Sequence, residues 1–269
     1  MSPRASTEPL ARSPIAPAPP VTVAAGWEVS GRRASATLTA AGLTITDCTP
    51  LTKVQLRAPA GGRVAAAVGV PFGRAARNPA GMLVVGSGPG EWLVLAPPGQ
   101  GRELTAGLAR LAARAPDELA TAVDLSHGRA LIRLTGPRSA DVLAKVCGID
   151  FSDDITPDGA AFRSSVAALA TDVIRDDHGG EAGGDHGGEA GGDHGGEAGG
   201  DHGGESGGEA GGESGDPSGG GRRPAGNPGR VRSYLLHCER SSGQYLFDVL
   251  LRSGAEFGIE VDGLQPPGI

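Results

Sequence analysis

The stretch TAVDLSHGRALIRLTGPRSADVLAKVCG, residues 121–148, decides the fold class. It predicts two strands on either side of His127–Gly128, then a helix with Pro137 in its first turn and Gly148 after its last. The apolar stripe of that helix has helical spacing and comprises Val142, Leu143, Val146 and Cys147. Strands followed by a helix that can cover one of their faces are typical of an α+β protein.

The same order of strands and helix occurs upstream. The segment GMLVVGSGPGEWLVLAPP (81–98) predicts a hairpin that turns at Ser87–Gly90, and its Trp92 is predicted to lie in the core or in an interface. The following GRELTAGLARLAARA (101–115) predicts a helix with leucines on one face.

The order recurs downstream. AFRSSVAALATDVIRDD (161–177) predicts a strand or a pair of strands, and RVRSYLLHCE (230–239) predicts one more. The last helix, SSGQYLFDVLLRSG (241–254), is predicted to point four residues inward, Tyr245, Leu246, Val249 and Leu250. We therefore predict an α+β fold with antiparallel sheets, helices packed on one face, and two strand–helix halves.

Two segments do not fit this pattern. Residues 1–42 are rich in Pro and Ala and are predicted to be a disordered or loosely ordered tail. Residues 178–221 are a Gly/His/acidic repeat, predicted to be a disordered insertion because their apolar content is only Ala. The domain itself then comprises 43–177 and 222–264, followed by a C-terminal tail, 265–269.

The acidic balance of the chain comes from the repeat. The whole sequence has 31 acidic and 24 basic residues, and residues 178–221 contain ten of the acidic ones and no Lys or Arg. The remainder, with 21 acidic against 24 basic residues, has no charge pattern typical of nucleic-acid binding.

The repeat also contains four of the six histidines, at 178, 186, 194 and 202. Two interpretations stay open, a solvated linker and a weak site for a borderline metal ion. The pattern GESGG (204–208) matches a nucleophile elbow but lacks the strand and helix that such an elbow requires.

No catalytic, cofactor-binding or metal site is predicted elsewhere. Cys48, Cys147 and Cys238 form no CxxC pair, and His237 and Cys238 are predicted to point to opposite faces of one strand. GSGPGEW leads into a strand rather than a helix, so it cannot form a phosphate loop. The paired carboxylates Asp153–Asp154 and Asp176–Asp177 are interpreted as solvated turn residues.

Contacts with a partner protein are the remaining hypothesis. Asp124, Ser126, His127 and Arg129 lie close together in sequence, which leaves open a triad, a structural turn or a partner contact. The candidate contact residues are Ser126, His127, Arg129, Glu239 and Arg240. The sequence shows no signal peptide and no apolar run of membrane-spanning length, so we expect a cytoplasmic protein that binds neither nucleic acid nor membrane.

Four stretches together resemble one family. They are GPGEWLVLAP (88–97), DLSHGRALIRLTGPRSADVLAKVCGIDF (124–151), DITPDGAAFRSSVAALATDVIR (154–175) and RSYLLHCERSSGQYLFDVLLRSGAEFGIEV (232–261). In this order they resemble the gamma subunit of heterotetrameric sarcosine oxidase, which is related to the folate-binding region of the glycine-cleavage T protein. The repeat at 178–221 departs from that family, and no Lys-Gly-Cys-Tyr motif of the iron–sulfur-assembly relatives surrounds Cys238.

The resemblance implies a non-catalytic subunit that packs on the alpha subunit, with beta and delta as further partners. The complex demethylates sarcosine oxidatively to glycine, and tetrahydrofolate accepts the one-carbon unit. FAD, FMN and NAD are then expected in the alpha and beta subunits and zinc in delta, with none held by this chain. The alternative is a free-standing folate-binding or aminomethyltransferase-like protein.

Overall fold

The computed structural model describes residues 10–31, 42–179 and 230–264, with only the backbone of 178–179. The predictions for most of the repeat and for the C-terminal tail lie outside these residues. The strands, in chain order, are β1 (Ala11–Arg12), β2 (Val21–Ala24), β3 (Trp27–Ser30), β4 (Thr44–Asp47), β5 (Thr52–Arg57), β6 (Ala75–Arg77), β7 (Leu83–Gly88), β8 (Glu91–Ala96), β9 (Thr121–Asp124), β10 (Arg129–Thr135), β11 (Ala161–Val166), β12 (Leu169–Arg175), β13 (His178–Gly179), β14 (Arg230–Val231), β15 (Ser233–Glu239) and β16 (Glu260–Asp262). The helices are α1 (Arg63–Val68), α2 (Gly101–Ala112), α3 (Ser139–Ala144) and α4 (Gly243–Gly254).

Two large sheets form the body of the protein. Sheet 1 has six strands in the order β11-β12-β15-β10-β4-β16, and sheet 2 has five in the order β6-β7-β8-β5-β9. Neighbouring strands are antiparallel in both sheets, except that β16 runs parallel to β4. The predicted α+β class, with antiparallel sheets and few helices, is confirmed.

Each sheet carries its helices on one face because its side chains alternate between two apolar surfaces. On the outer face of sheet 1, Ile132 and Leu236 pack against Leu143 of α3 and Leu246 of α4. On the outer face of sheet 2, the core comprises Val54, Leu56, Trp92, Val64 of α1 and Leu104 of α2. Trp92 is buried there and donates its indole N–H to the carbonyl of Val70 at 2.7 Å.

The inner faces of the two sheets meet in a third core. Leu131, Ile174 and Leu235 of sheet 1 contact Leu93 and Leu95 of sheet 2. Two connections cross between the sheets, residues 48–51 and residues 125–128. The sheets are also joined where β6 meets the residues before β11, since the Ala75 N–H donates to the Gly159 carbonyl at 2.7 Å. The strands that flank His127–Gly128 are therefore not a hairpin: β9 belongs to sheet 2 and β10 to sheet 1.

The N-terminal segment differs from the predicted tail. Residues 10–31 form a third sheet in the order β1-β3-β2, packed on the body of the protein. Proline density suggested a tail, but Ile15, Trp27 and Val29 are buried, and Ile15 belongs to the core under α4. A few large apolar residues suffice to order this segment because they lie on one side of it.

Helix α4 presents a slightly different face from the predicted one. Tyr245 is exposed rather than inward, whereas Phe247 is buried beside Leu246 and Leu250. Gly243 also faces the core, and a Cβ atom there would lie 2.7 Å from the Ala130 side chain. The inward positions thus recur at intervals of three and four residues, as helical geometry requires.

Candidate functional site

The five predicted contact residues converge on one end of the body. Ser126 and His127 lie in the connection from β9 to β10, Arg129 begins β10, and Glu239 and Arg240 end β15 and follow it. They come together because β10 and β15 are paired, with Arg129 directly opposite Glu239. We call this group the corner cluster.

The N-terminal sheet covers part of the corner cluster. The ring of His127 stacks on Trp27 with a centroid distance of 4.8 Å and an interplanar angle of 9°. The Arg240 guanidinium donates to the carbonyl of Arg12, and Arg129 pairs with Glu239 at the surface. The chain's own N-terminal residues thus occupy a contact surface that the sequence alone left open to a partner.

The possible triad is not formed. The backbone N–H of Ser126 donates to Asp124 Oδ1 at 2.8 Å, and the Ser126 hydroxyl accepts from the backbone N–H of Lys53 at 3.0 Å. Within the described ranges, His127 stacks on Trp27 and makes no hydrogen bond to Ser126. Both serine contacts are structural, because the first fixes the turn after β9 and the second fastens the connection between the sheets to β5.

A fully buried lysine lies behind the corner cluster. Lys53 points to the inner face of sheet 2 and donates to the carbonyls of Thr49 at 2.6 Å and Leu51 at 2.8 Å. Burial lowers its pKa from 10.5 to about 7, although the carboxylate of Asp47 opposes that effect. Burial likewise raises the pKa of Asp47, which is held against the backbone N–H of Thr49.

A charged row crosses the inner face of sheet 1 next to Lys53. The carboxylate of Asp172 contacts His237 Nδ1 at 2.9 Å and accepts from Arg163 Nε at 2.7 Å. Burial lowers the pKa of His237, while Asp172 counteracts it, so the neutral ring donates from Nδ1. His237 Nε2 is buried and has no hydrogen-bond partner among the residues that the structure describes. Cys238 faces the opposite core, which confirms that it cannot act with His237.

A second charged network lies at the other end of sheet 1, at the base of the repeat. The guanidinium of Arg175 binds Asp177 at 2.8 Å and Asp153 at 2.5 Å, and Arg230 binds Asp158 at 2.5 Å. Burial alone would lower the pKa of Arg175, but its hydrogen bonds to Asp177 and Asp153 raise it above the ordinary value.

Asp176 belongs to the same network. It lies between Arg77 and Arg133, with contacts of 2.9 and 3.1 Å. The interpretation of Asp176–Asp177 as solvated turn residues is therefore wrong. Both are buried: Asp176 between arginines from two distant strands, and Asp177 against Arg175 at the end of β12.

The two ends of the repeat are adjacent in this network. Strand β13 pairs with β14 in antiparallel register, with Gly179 opposite Arg230. The segment between them therefore leaves and rejoins the body at one place, as expected of an insertion between two strands that belong together.

The concave surfaces lie mainly around this network and beside α1. A pocket of about 810 Å³ is lined by the start of α3, Asp153, Arg230 and Arg232, and one of about 190 Å³ lies between Arg77, Arg175 and Asp158. A third, of about 480 Å³, is lined mostly by Gly, Ala and Pro with Phe72 and Trp92.

Within residues 10–31, 42–179 and 230–264, no three His, Cys, Asp or Glu side chains are placed to bind a metal ion together. No helix in those ranges combines the length and apolarity needed to cross a bilayer.

Sequence patterns did not point to Lys53, Asp172 or Arg175. Each occupies a buried strand position that an apolar residue would ordinarily fill. Asp172 is held by His237 from a distant strand, whereas Lys53 and Arg175 bind groups two to four residues away, Thr49, Leu51 and Asp177, whose approach depends on how the chain turns beside the strand. The one local signal was a charged residue at an inward position of an alternating strand, as in KVQLRA (53–58).

Two solved structures share this architecture. No protein-family model and no curated protein sequence matches the chain. A chain of the heterotetrameric sarcosine oxidase from Corynebacterium sp. U-96 is 20% identical, with 80% of this chain and 85% of that chain covered and a TM-score of 0.52. The glycine cleavage system aminomethyltransferase T from Bartonella henselae is 13% identical, with 91% of this chain and 55% of that chain covered and a TM-score of 0.56. This chain thus spans about half of the aminomethyltransferase, and what it shares with both proteins is the α+β fold of the T protein.

Proposed function

We propose that this chain is the gamma subunit of a heterotetrameric sarcosine oxidase, a structural subunit that packs on the alpha subunit. The observation that carries the proposal is the match to a chain of the Corynebacterium oxidase over 85% of that chain. A subunit of similar size fits this coverage, whereas the aminomethyltransferase is matched over 55% of its length.

In this proposal the oxidative demethylation of sarcosine, with FAD, FMN, NAD, zinc and tetrahydrofolate, belongs to the partner subunits in the cytoplasm. The charged groups of this chain support a structural role. Lys53, Asp172 and Arg175 are each bonded to groups within the protein and are largely withdrawn from solvent. The contacts of Lys53 hold the connection from β4 to β5, those of Asp172 join strands within sheet 1, and those of Arg175 hold the residues that follow β12 and the connection before β11.

The test is co-expression of the chain with the alpha, beta and delta subunits from the same genome. We expect one complex on gel filtration that contains all four chains and oxidises sarcosine. Elution of this chain apart from an assembled alpha–beta–delta complex would overturn the proposal.

A second function, a free-standing folate-binding or aminomethyl-transferring protein, is favoured by the similarity to the aminomethyltransferase at a TM-score of 0.56. It predicts saturable binding of tetrahydrofolate by the isolated chain in calorimetry. A flat titration would remove this alternative and would leave the subunit proposal untouched.

A further inference from the structure

The two sheets are stacked so that β9 is the strand of sheet 2 nearest to one end of sheet 1. At one end of sheet 1, Arg77 of β6 binds Asp176, which follows the end of β12. At the opposite end, β9 leads through residues 125–128 into Arg129, the first residue of β10. The strands of sheet 2 therefore lie across those of sheet 1. They run in order from β6 at one end of the sheet 1 strands to β9 at the other.

Sheet 2 ends too early to cover sheet 1. The final inward row of sheet 1 comprises Ser165, Ala170, Glu239 and Arg129, which follow the same alternation as the buried Ala161, Ile174 and Leu235. Ser165 and Ala170 are nevertheless exposed, and the Glu239 side chain is 63% exposed. Inward rows repeat about every 7 Å along a strand and paired strands lie about 4.8 Å apart, so one uncovered row leaves room for about one more strand beside β9.

The edge of β9 offers hydrogen bonds to such a strand. The Leu125 N–H donates to the Lys53 carbonyl at 2.7 Å, so in this antiparallel pair the N–H and C=O groups of Ala122 and Asp124 point away from β5. Among the described residues, neither has a backbone hydrogen bond on that side. Natural sheets usually protect such edges with charges, proline or bulges. This edge instead exposes Val123 at 51% and the preceding Leu119 at 86%.

We propose that a single extended segment of a partner subunit adds to sheet 2 beside β9 and fills the gap above Ser165 and Ala170. Its backbone pairs with Ala122 and Asp124, and those of its inward side chains that meet Val123, Ser165 and Ala170 are uncharged and apolar. This proposal rests on the proposed function, which supplies the partner.

A second copy of this chain does not fit the same place. If β9 paired with β9 of a copy about a two-fold axis, the projecting row of sheet 1 in each copy would have to lie beneath the new junction. The two rows would then occupy one space. A single strand of a partner carries no second sheet beneath it, so it can pair with β9 without this overlap.

The experiment compares two valines of similar exposure on two edge strands. Val123→Asp alters the β9 edge, and Val23→Asp, at a position 56% exposed on β2, is the matched control. Each variant is co-expressed with the alpha, beta and delta subunits after its melting temperature as an isolated chain has been shown to equal that of the wild type. We expect recovery of the four-chain complex to fall at least about tenfold for Val123→Asp, because a buried unpaired carboxylate costs more than the 1.4 kcal/mol of a tenfold effect. Val23→Asp should stay within about twofold of the wild type.

A backbone test is independent of charge. Ala122→Pro removes an N–H that points away from β5 and should weaken the complex in the same way. Amide exchange of residues 119–125 should slow in the wild-type complex relative to the isolated chain. A complex that forms equally well with Val123→Asp, or unchanged exchange at 119–125, would overturn the strand proposal alone. If the wild type forms no complex, both proposals fail. A wild-type chain that self-associates and becomes monomeric on Val123→Asp would assign the edge to a second copy instead.

Discussion

Replacement of Lys53 by methionine should remove a pH dependence from the stability of this protein. The unfolded chain holds the Lys53 proton up to about pH 10.5, whereas the folded protein holds it only up to about pH 7, because the ammonium is buried. Unfolding between these values takes up a proton, so the free energy of unfolding rises with pH. The destabilisation caused by burying the Lys53 ammonium is fully present below pH 7 and absent above pH 10.5.

The magnitude follows from the linkage relation. One proton taken up on unfolding changes the free energy of unfolding by about 1.36 kcal/mol per pH unit, which gives about 2 kcal/mol between about pH 7.5 and pH 9. Burial raises the pKa of Cys48 and Cys238 from 9.0 to about 11, so these thiols lose protons first in the unfolded chain and lower the stability towards pH 9, but they do so in both proteins and cancel in the comparison. Methionine matches the length of the lysine but cannot donate to the Thr49 and Leu51 carbonyls, so the loss of these two hydrogen bonds adds a destabilisation that is the same at both pH values.

The assay is urea unfolding of both proteins at the two pH values. The wild type should gain about 2 kcal/mol relative to Lys53→Met on going to the higher pH. Lys145→Met is the control, since Lys145 is the other lysine of the chain and lies at the surface beside Glu256. Equal changes in the wild type and in Lys53→Met would refute the reasoning, because a lysine accessible to water would hold its proton in both states.

Three further predictions concern stability. Asp177→Asn should lower the free energy of unfolding by roughly 2–4 kcal/mol in urea, because it leaves buried Arg175 with less charge compensation, whereas the exposed Asp154→Asn should change it by less than about 0.5 kcal/mol. Phe247→Ala should cost about 3–5 kcal/mol in the same assay and Tyr245→Ala less than about 0.5 kcal/mol, and equal effects would contradict the described face of α4. Replacement of residues 180–229 by Asn-Gly should leave the melting temperature no lower, since Gly179 and Arg230 are already paired. Loss of the near-UV circular dichroism signal in this variant would contradict that register.

The regular elements could be predicted from local patterns. The hairpin of β7 and β8, the helix α2 and the pair β11–β12 follow from alternation, helical spacing and glycine turns within short windows. The five residues of the corner cluster were named as contact candidates, but their position side by side was not predicted, because the β10–β15 pairing joins segments more than a hundred residues apart. The assignment of β9 and β10 to different sheets depends on contacts that no local window contains.

The buried charges could not be predicted for a related reason. Asp176 sits in a segment of turn-like composition, and only the arrival of Arg77 and Arg133 from other strands makes its burial favourable. Asp177 is paired with Arg175, two residues away at the end of β12. The N-terminal sheet was not predicted because the proline density of the segment was given more weight than its three spaced apolar residues, Ile15, Trp27 and Val29. For Asp176 and for the N-terminal sheet, the decisive partner lies far away along the chain.

The strand order of sheet 1 also has a consequence for synthesis on the ribosome. β15 lies between β12 and β10, yet it is made after both and after the 44 residues of the repeat. At about 5–20 residues per second, the 57 residues between β12 and β15 take roughly 3–11 s and the 97 residues between β10 and β15 roughly 5–19 s, and during this time each strand has an unsatisfied edge. The repeat thus prolongs the interval in which nascent chains can pair wrongly. Its many carboxylates and lack of large apolar residues make it a segment that does not add to that risk.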